Sequence, residues 1–501
     1  MSTRAMPDRE RPLMTVRSIV IAIEAAAILL SLSCVFLVAT RSLRWQVVHD
    51  IPPLHYWAAR VLAGDVPYRD LFEVNLPGTL LVHLAVIKTF GLGDLGFRAF
   101  DLIVTGVTGL FIVLFCRPFG TPGAILAGLW FSAAHLGNGP ASAGQRDFLV
   151  CPLLVVAAYL AARSLEEGRP KLALGAGASI GFAATIKPPS FIFLIFLLVL
   201  AGVSNIRDRR HRRPFALSLL IGSALCALLE AGWLWSLGGL SSFSELATQY
   251  LPLYARLWRQ PALSLLSAIG REALPLAPLA LLMPAMLQYC AFGHLRICIA
   301  AAGVVSGAFH FLVQGKGWWY HAYPLKCFVG MLALMLVGQL LRKSAASAAI
   351  AVLALPLVLY PALSDCLRMR NVTGDISRLA TNLERDLQER QIRPSEEVQV
   401  FDVVSGGVSA INRLNLRLPT PFVYDFVFYH YTDHPYVASL RQEIMDALRR
   451  RRPRFIVFCF SDDASRARLD AFPDLQALIQ AEYHVETLRE ERPGYALYAA
   501  N

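Results

Sequence analysis

The segment LPGTLLVHLAVIKTF, residues 76–90, decides how this chain is threaded through a membrane. It is apolar, yet at about 15 residues it falls short of the roughly 20 that cross a bilayer core as a helix. His83 and Lys88 lie within it. Longer apolar stretches flank it at 18–40, 97–116, 122–137, 148–163, 172–187, 188–203, 215–237, 273–291, 296–313, 325–341 and 345–364, about eleven spans in all. If 76–90 does not cross, then Arg117, RSLEEGRPK at 163–171, NIRDRRHRRP at 205–214 and Arg342-Lys343 all fall on the cytoplasmic side, as the positive-inside rule demands. If it crosses, all of them turn outward, including the five arginines of 205–214. The segment therefore reads as a helix lying at the outer membrane surface, and the N-terminus as cytoplasmic.

Composition agrees with this reading. Of 501 residues, 55% are hydrophobic and 17% charged, with a mean hydropathy of +0.49, against roughly 25% charged in an ordinary soluble domain. That excludes a soluble or disordered chain. The net charge of +11 is a topology signal, not a nucleic-acid footprint. The basic N-terminus leads into an apolar run too long for a signal-peptide core, so it reads as a retained first span.

From about residue 366 the composition turns polar. Helical patterns at 375–391, 436–450 and 466–481 alternate with strand-like VQVFDVV (398–404), RFIVFCF (454–460) and a final YALYA. The expected architecture is a polytopic α-helical membrane domain over 1–365, with a first outer loop at 41–96, followed by a small α/β domain over 366–501 on the same outer side. Cys366 and Cys459 are the two cysteines outside apolar spans that could pair in an oxidising compartment.

The first outer loop, HDIPPLHYWAARVLAGDVPYRDLFEVNLPGTLL, is rich in acids, aromatics and prolines. Its order of Asp50, Tyr56, Ala59, Leu62, Gly64, Pro67-Tyr68-Arg69-Asp70, Pro77, Phe90-Gly91 and Arg98 resembles the GT-C superfamily of integral-membrane glycosyltransferases. It is most similar to the bacterial branch that uses polyprenyl-phosphate sugars, which includes protein O-mannosyltransferase-like enzymes, aminoarabinose transferases and rhizobial lipid A galacturonosyltransferases. GQRDFLVCPLLV (144–155), TIKPP (185–189) and QGKGWWYHAYP (314–324) extend the likeness over most of the membrane portion. Many relatives carry Asp-Glu in the first loop, whereas Ile51 follows Asp50 here.

The resemblance implies a polyprenyl-phosphate-linked sugar as donor and a glycan, lipid A or other glycolipid, or a protein as acceptor. It implies a site on the periplasmic face of a bacterial inner membrane. Such chemistry needs a base for the acceptor hydroxyl and cations for the departing phosphate. Asp50 is the implied base, with Asp70 and Asp147 as the other catalytic candidates. Tyr56, Tyr68, Glu73, Arg98, Arg146, Lys187, Lys316, Tyr320 and His321 are the substrate-binding candidates. Each has a plain structural reading beside the functional one: Asp50 as a helix cap, Asp70 as a turn residue, Arg98 paired with Asp101, Arg146-Asp147 as an interfacial anchor, Lys187 snorkelling, and the Trp-Tyr loop as an interfacial belt. Metal ligation has no ordinary signature, although Asp50, Asp147 and His321 could meet on a divalent ion. A lipid-linked sugar flippase and a polysaccharide polymerase or ligase share the lipid-linked substrate. The first commonly shows inverted repeats and the second one large late outer loop, and neither is visible here.

Overall fold

The computed structural model describes residues 10–203, 212–277, 294–372 and 377–501. The basic run 205–214 and the span read at 273–291 lie wholly or largely outside them, as does Cys290. The chain divides into two compact units, Met1–Leu43 with Phe100–Leu228 and Trp258–Val372, and Arg44–Ala99 with Leu229–Leu257 and Thr373–Asn501.

The first unit is a helix bundle. Among the described residues seven helices are long and apolar enough to cross a membrane: Arg17–Ser42, Asp94–Phe119, Arg146–Glu167, Arg212–Ser236, Leu295–Gln314, Trp319–Lys343 and Ala345–Asn371. The stretches read as spans at 122–137 and 172–187 are the 17-residue helices Thr121–Gly137 and Pro170–Ile186. The stretch at 188–203 is the 13-residue helix Phe191–Val203. The cause of the break before it is local. Lys187 precedes a proline and takes an extended conformation, φ −142° and ψ 105°, as pre-proline sterics require, and Pro188–Ser190 then form a single 3-10 turn.

Helix Trp319–Lys343 is the bundle's core element, with 89% of its apolar window buried. Small residues set the closest crossing. A Cβ on Gly177 would stand 2.0 Å from the Leu219 carbonyl oxygen, and one on Gly222 2.1 Å from that of Leu174. Ser223 Oγ donates to the Gly177 carbonyl at 2.9 Å. In a solvent that offers no hydrophobic drive between helices, this close approach and the interhelical hydrogen bond supply the association.

The second unit holds a four-stranded sheet of β1 (Val398–Phe401), β2 (Phe455–Phe460), β3 (Tyr483–Arg489) and β4 (Gly494–Ala500), in the order β1-β2-β4-β3. β1 and β2 are parallel, with helix Pro435–Arg451 between them in sequence, and the β2–β4 and β4–β3 pairs are antiparallel. β3 had no strand signal in the sequence. It is an edge strand with four of its seven side chains exposed, and it carries Glu486 and Arg489; charges on an edge are one way in which natural sheets protect it.

The same unit takes in the first outer loop. Asn412 Nδ2 donates to the Pro52 carbonyl at 2.8 Å, the Leu418 amide to Tyr56 Oη at 2.8 Å, and the Phe72 amide to the Pro421 carbonyl at 2.9 Å. Phe72 also packs on Phe422 and Tyr250. The interfacial helices expected in that loop are Ile51–Leu62 and Pro77–Phe90. Cys366 ends up buried in the last span and Cys459 in β2, both as free thiols.

Candidate functional site

In the helix bundle, Asp147 stands in the first turn of Arg146–Glu167, where the helix dipole favours a carboxylate. It is fully buried. Its Oδ1 accepts from His310 Nε2 at 2.7 Å and from Gln314 Nε2 at 2.9 Å, and its Oδ2 lies 3.1 Å from Lys187 Nζ. Lys187 donates in turn to Gln314 Oε1 at 2.7 Å. The carboxylate thus fixes the ammonium group at the Lys-Pro-Pro break. Neither a snorkelling lysine nor an interfacial anchor describes this pair.

His310 and Gln314 sit one turn apart on Leu295–Gln314, and sequence reasoning missed both. A histidine in an apolar span was the available signal, because an ionisable group inside a membrane is a functional candidate by default.

The loop after that helix turns on Gly315 and Gly317, at φ +68° and +67°, a backbone that only glycine adopts freely. Between them Lys316 is buried, its Nζ 4.9 Å from the Trp318 ring and 5.4 Å from the Trp258 ring. Two aromatic faces hold this cation by their quadrupoles. His321 is 1% exposed and packs on Trp318 and Tyr320. It interacts electrostatically with Asp147, Lys187, His310 and Arg146.

A second network positions this end of the bundle. Asp101 accepts from the Gly144 amide at 3.1 Å and meets His135 Nε2 at 3.1 Å, while His135 Nδ1 reaches Tyr323 Oη at 2.8 Å. His135 also stacks on Phe148 at 3.8 Å. These contacts fix the 138–147 loop and so the start of the Asp147 helix.

In the second unit, Asp50 occupies the N-cap position of Ile51–Leu62, but its side chain caps no amide of that helix. It lies 3.2 Å from His49 Nδ1, with 15% of its side chain exposed. His49 holds φ +63°, a strained backbone of the kind that clusters at functional sites. Asp70 has another occupation: both oxygens take Arg69, at 2.8 and 3.0 Å, and Oδ2 also takes the Val66 amide at 2.8 Å. The Arg69 hydrogen bond holds its carboxyl below the usual range. The YRD segment is a braced turn.

Tyr56 supports Leu418, as noted, and Tyr68 Oη donates to the Asn75 carbonyl at 2.7 Å. Both phenols are pushed up by burial. Glu73 is buried and accepts from the Asn75 amide at 3.0 Å. A cavity of about 180 Å³ is lined by Tyr68, Arg69, Glu73, Glu245, Tyr436 and Glu443 among others. Burial, followed by the Glu245 charge, raises the Glu443 carboxyl. Arg98 Nε donates to the Trp45 carbonyl at 3.1 Å, its Nη2 donates to the Gln46 carbonyl, and its guanidinium lies over the Trp45 and Phe97 rings. Its fork is turned to main chain at the end of the first span.

Asp147 is a poor metal ligand here, because Lys187, His310 and Gln314 already neutralise and occupy its oxygens. No group of three His, Cys, Asp or Glu side chains among the described residues is placed to hold an ion.

Residues 77–236 match the dolichyl-phosphate-mannose-protein mannosyltransferase family. No curated protein sequence matches the chain. Among solved structures, ArnT from Cupriavidus metallidurans bound to undecaprenyl phosphate superposes with a TM-score of 0.60 at 12% identity, over 96% of this chain and 98% of ArnT. The Archaeoglobus fulgidus oligosaccharyltransferase, tethered to an acceptor peptide containing the NVT sequon, gives 0.54 at 11% identity, over 96% of this chain and 74% of its own. The archaeal oligosaccharyltransferase AglB from Archaeoglobus fulgidus, in complex with an inhibitory peptide and a dolichol-phosphate, gives 0.52 at 12%. Residues 77–236 are thus similar to the mannosyltransferase family, and the chain shares its fold with ArnT and AglB.

Proposed function

We propose that this protein transfers a sugar from a polyprenyl phosphate to a hydroxyl-bearing acceptor (a glycan, lipid A or other glycolipid, or a protein) on the periplasmic face of the bacterial inner membrane. The observation that carries the reading is the buried Asp147–Lys187–His310–Gln314 cluster. A lysine locked by a carboxylate and an amide is a preorganised cation, and preorganised charge is what stabilises a developing anion. The undecaprenyl phosphate of ArnT and the dolichol-phosphate of AglB support a lipid-linked donor.

The reaction divides into two roles. When the anomeric carbon–oxygen bond breaks, its electron pair stays on the phosphate oxygen. Lys187 meets that charge, with His321 and Arg146 near it and Lys316 of the same unit as a further cation. Asp147 is a positioning residue, since it acts through Lys187. Asp50 takes the proton of the acceptor hydroxyl as that oxygen bonds to the anomeric carbon. The products are the glycosylated acceptor, the polyprenyl phosphate and a proton passed from Asp50 to water.

Two measurements test this division. Undecaprenyl phosphate binding, read by native mass spectrometry, should weaken about ten-fold or more in Lys187→Met, as expected for loss of a charged contact to phosphate. Asp50→Asn should leave it unchanged. Equal weakening in both variants would overturn the assignment. For orientation, a reporter fused after Asn501 should signal from the periplasm and one inserted at 205–214 from the cytoplasm. The opposite pair would place the cluster on the wrong face for a lipid-linked donor.

A further inference from the structure

Helix Tyr323–Lys343 starts beside His321 and carries Arg342 and Lys343 to the other end of the bundle. There a cleft of about 820 Å³ opens between helix Glu10–Ser42, the start of Thr121–Gly137 and the turn into Ala345–Arg368. Its charged lining is Arg17, Arg342 and Lys343 against the single carboxylate of Glu24. That leaves a surplus of two positive charges. Among the described residues none of the three cations forms an ion pair. Arg342 lies against the backbone of the preceding turn, where a Cβ on Gly120 would stand 2.5 Å from its Cζ.

The remaining wall is apolar and belongs to the spans, with Val20, Ile21, Leu341 and Ala348 among the lining residues. Ile19 and Ile21 expose 53% and 56% of their surface beside it, so the cleft continues onto a face meant for hydrocarbon. A soluble anion would use the cations and leave this wall uncovered. A lipid headgroup with its chains uses both.

We propose that this cleft binds an anionic phospholipid carrying two phosphates in one headgroup, in the leaflet opposite the Asp147 cluster. The charge surplus matches a dianion, and basic pockets between transmembrane helices on the cytoplasmic side are suited to such headgroups. A zwitterionic lipid leaves the surplus uncompensated. Glu24, at the inner wall, limits the affinity.

The test titrates the detergent-purified full chain with diphosphatidylglycerol, phosphatidylglycerol and phosphatidylethanolamine by native mass spectrometry. Diphosphatidylglycerol should bind most tightly and phosphatidylethanolamine most weakly. Arg17→Gln with Lys343→Gln should weaken diphosphatidylglycerol binding about twenty-five-fold, two juxtamembrane cations contributing roughly five-fold each. Glu24→Gln should tighten it, a gain that misfolding cannot mimic. The control pair Arg169→Gln and Lys171→Gln removes cations of the same bundle end that lie outside the cleft, and should change nothing. The proposal is overturned if the control loses as much as the cleft pair, if Glu24→Gln fails to tighten binding, or if inorganic pyrophosphate at equal concentration displaces the lipid and so reveals a soluble-anion site.

Discussion

Asp50→Asn is expected to insert and fold as the wild type does and to lose sugar transfer by about 10²–10⁴-fold, the range set by removing a general base. The substitution keeps shape and removes the proton acceptor. The start of the helix it precedes should be kept, because the Asp50 side chain caps no amide there. The loss should fall on kcat with KM for the lipid donor nearly unchanged, since Asp50 is assigned to the acceptor proton and not to the donor phosphate. Transfer that survives at wild-type rate would remove Asp50 from the chemistry. Asp70 is a weak replacement, because Arg69 and the Val66 amide already engage its oxygens.

The second large effect concerns Asp147 and Lys187. Asp147 is fully buried and Lys187 nearly so, their side chains 0% and 12% exposed. Removing one partner of such a pair typically costs about 3–5 kcal/mol, because the other charge stays buried without compensation. Asp147→Asn should therefore lower the unfolding temperature of the detergent-solubilised protein sharply. Lys187→Met should lower it less, since His310 and Gln314 still donate to Asp147. The double variant Asp147→Asn/Lys187→Met should recover stability relative to Asp147→Asn alone and still transfer no sugar. A double variant that is both stable and active would show the pair to be scaffolding only.

The reading of 76–90 as too short to cross rests on its length, a property of the linear chain, and Pro77–Phe90 is a helix of 14 residues. The parallel pair β1–β2 and the strand β4 were legible because their apolar runs stand in polar surroundings. β3 was not, since its sequence YHVETLR mixes polar and apolar side chains and holds no continuous apolar run. Lys187 stood out in sequence through the two prolines after it, but its partner could not be read. Asp147 lies 40 positions earlier in the chain, and His310 and Gln314 more than 120 positions later, and only the bundle's packing brings them together. Asp70 shows the opposite limit. The Tyr-Arg-Asp pattern draws attention to a carboxylate whose hydrogen bonds are all local, and no linear motif distinguishes a turn brace from a site residue.

In the proposed function the sugar comes from a polyprenyl phosphate and its transfer releases that phosphate. The most direct test incubates purified wild-type protein, in vesicles that also contain candidate acceptor glycolipids, with a panel of polyprenyl-phosphate sugars labelled in the sugar. One donor should yield labelled acceptor and free polyprenyl phosphate in equal amounts, and both products should vanish with Asp50→Asn. Folded wild-type protein that moves a labelled donor across the vesicle membrane, with the sugar still attached to its lipid and no acceptor modified, would contradict it and identify a transporter.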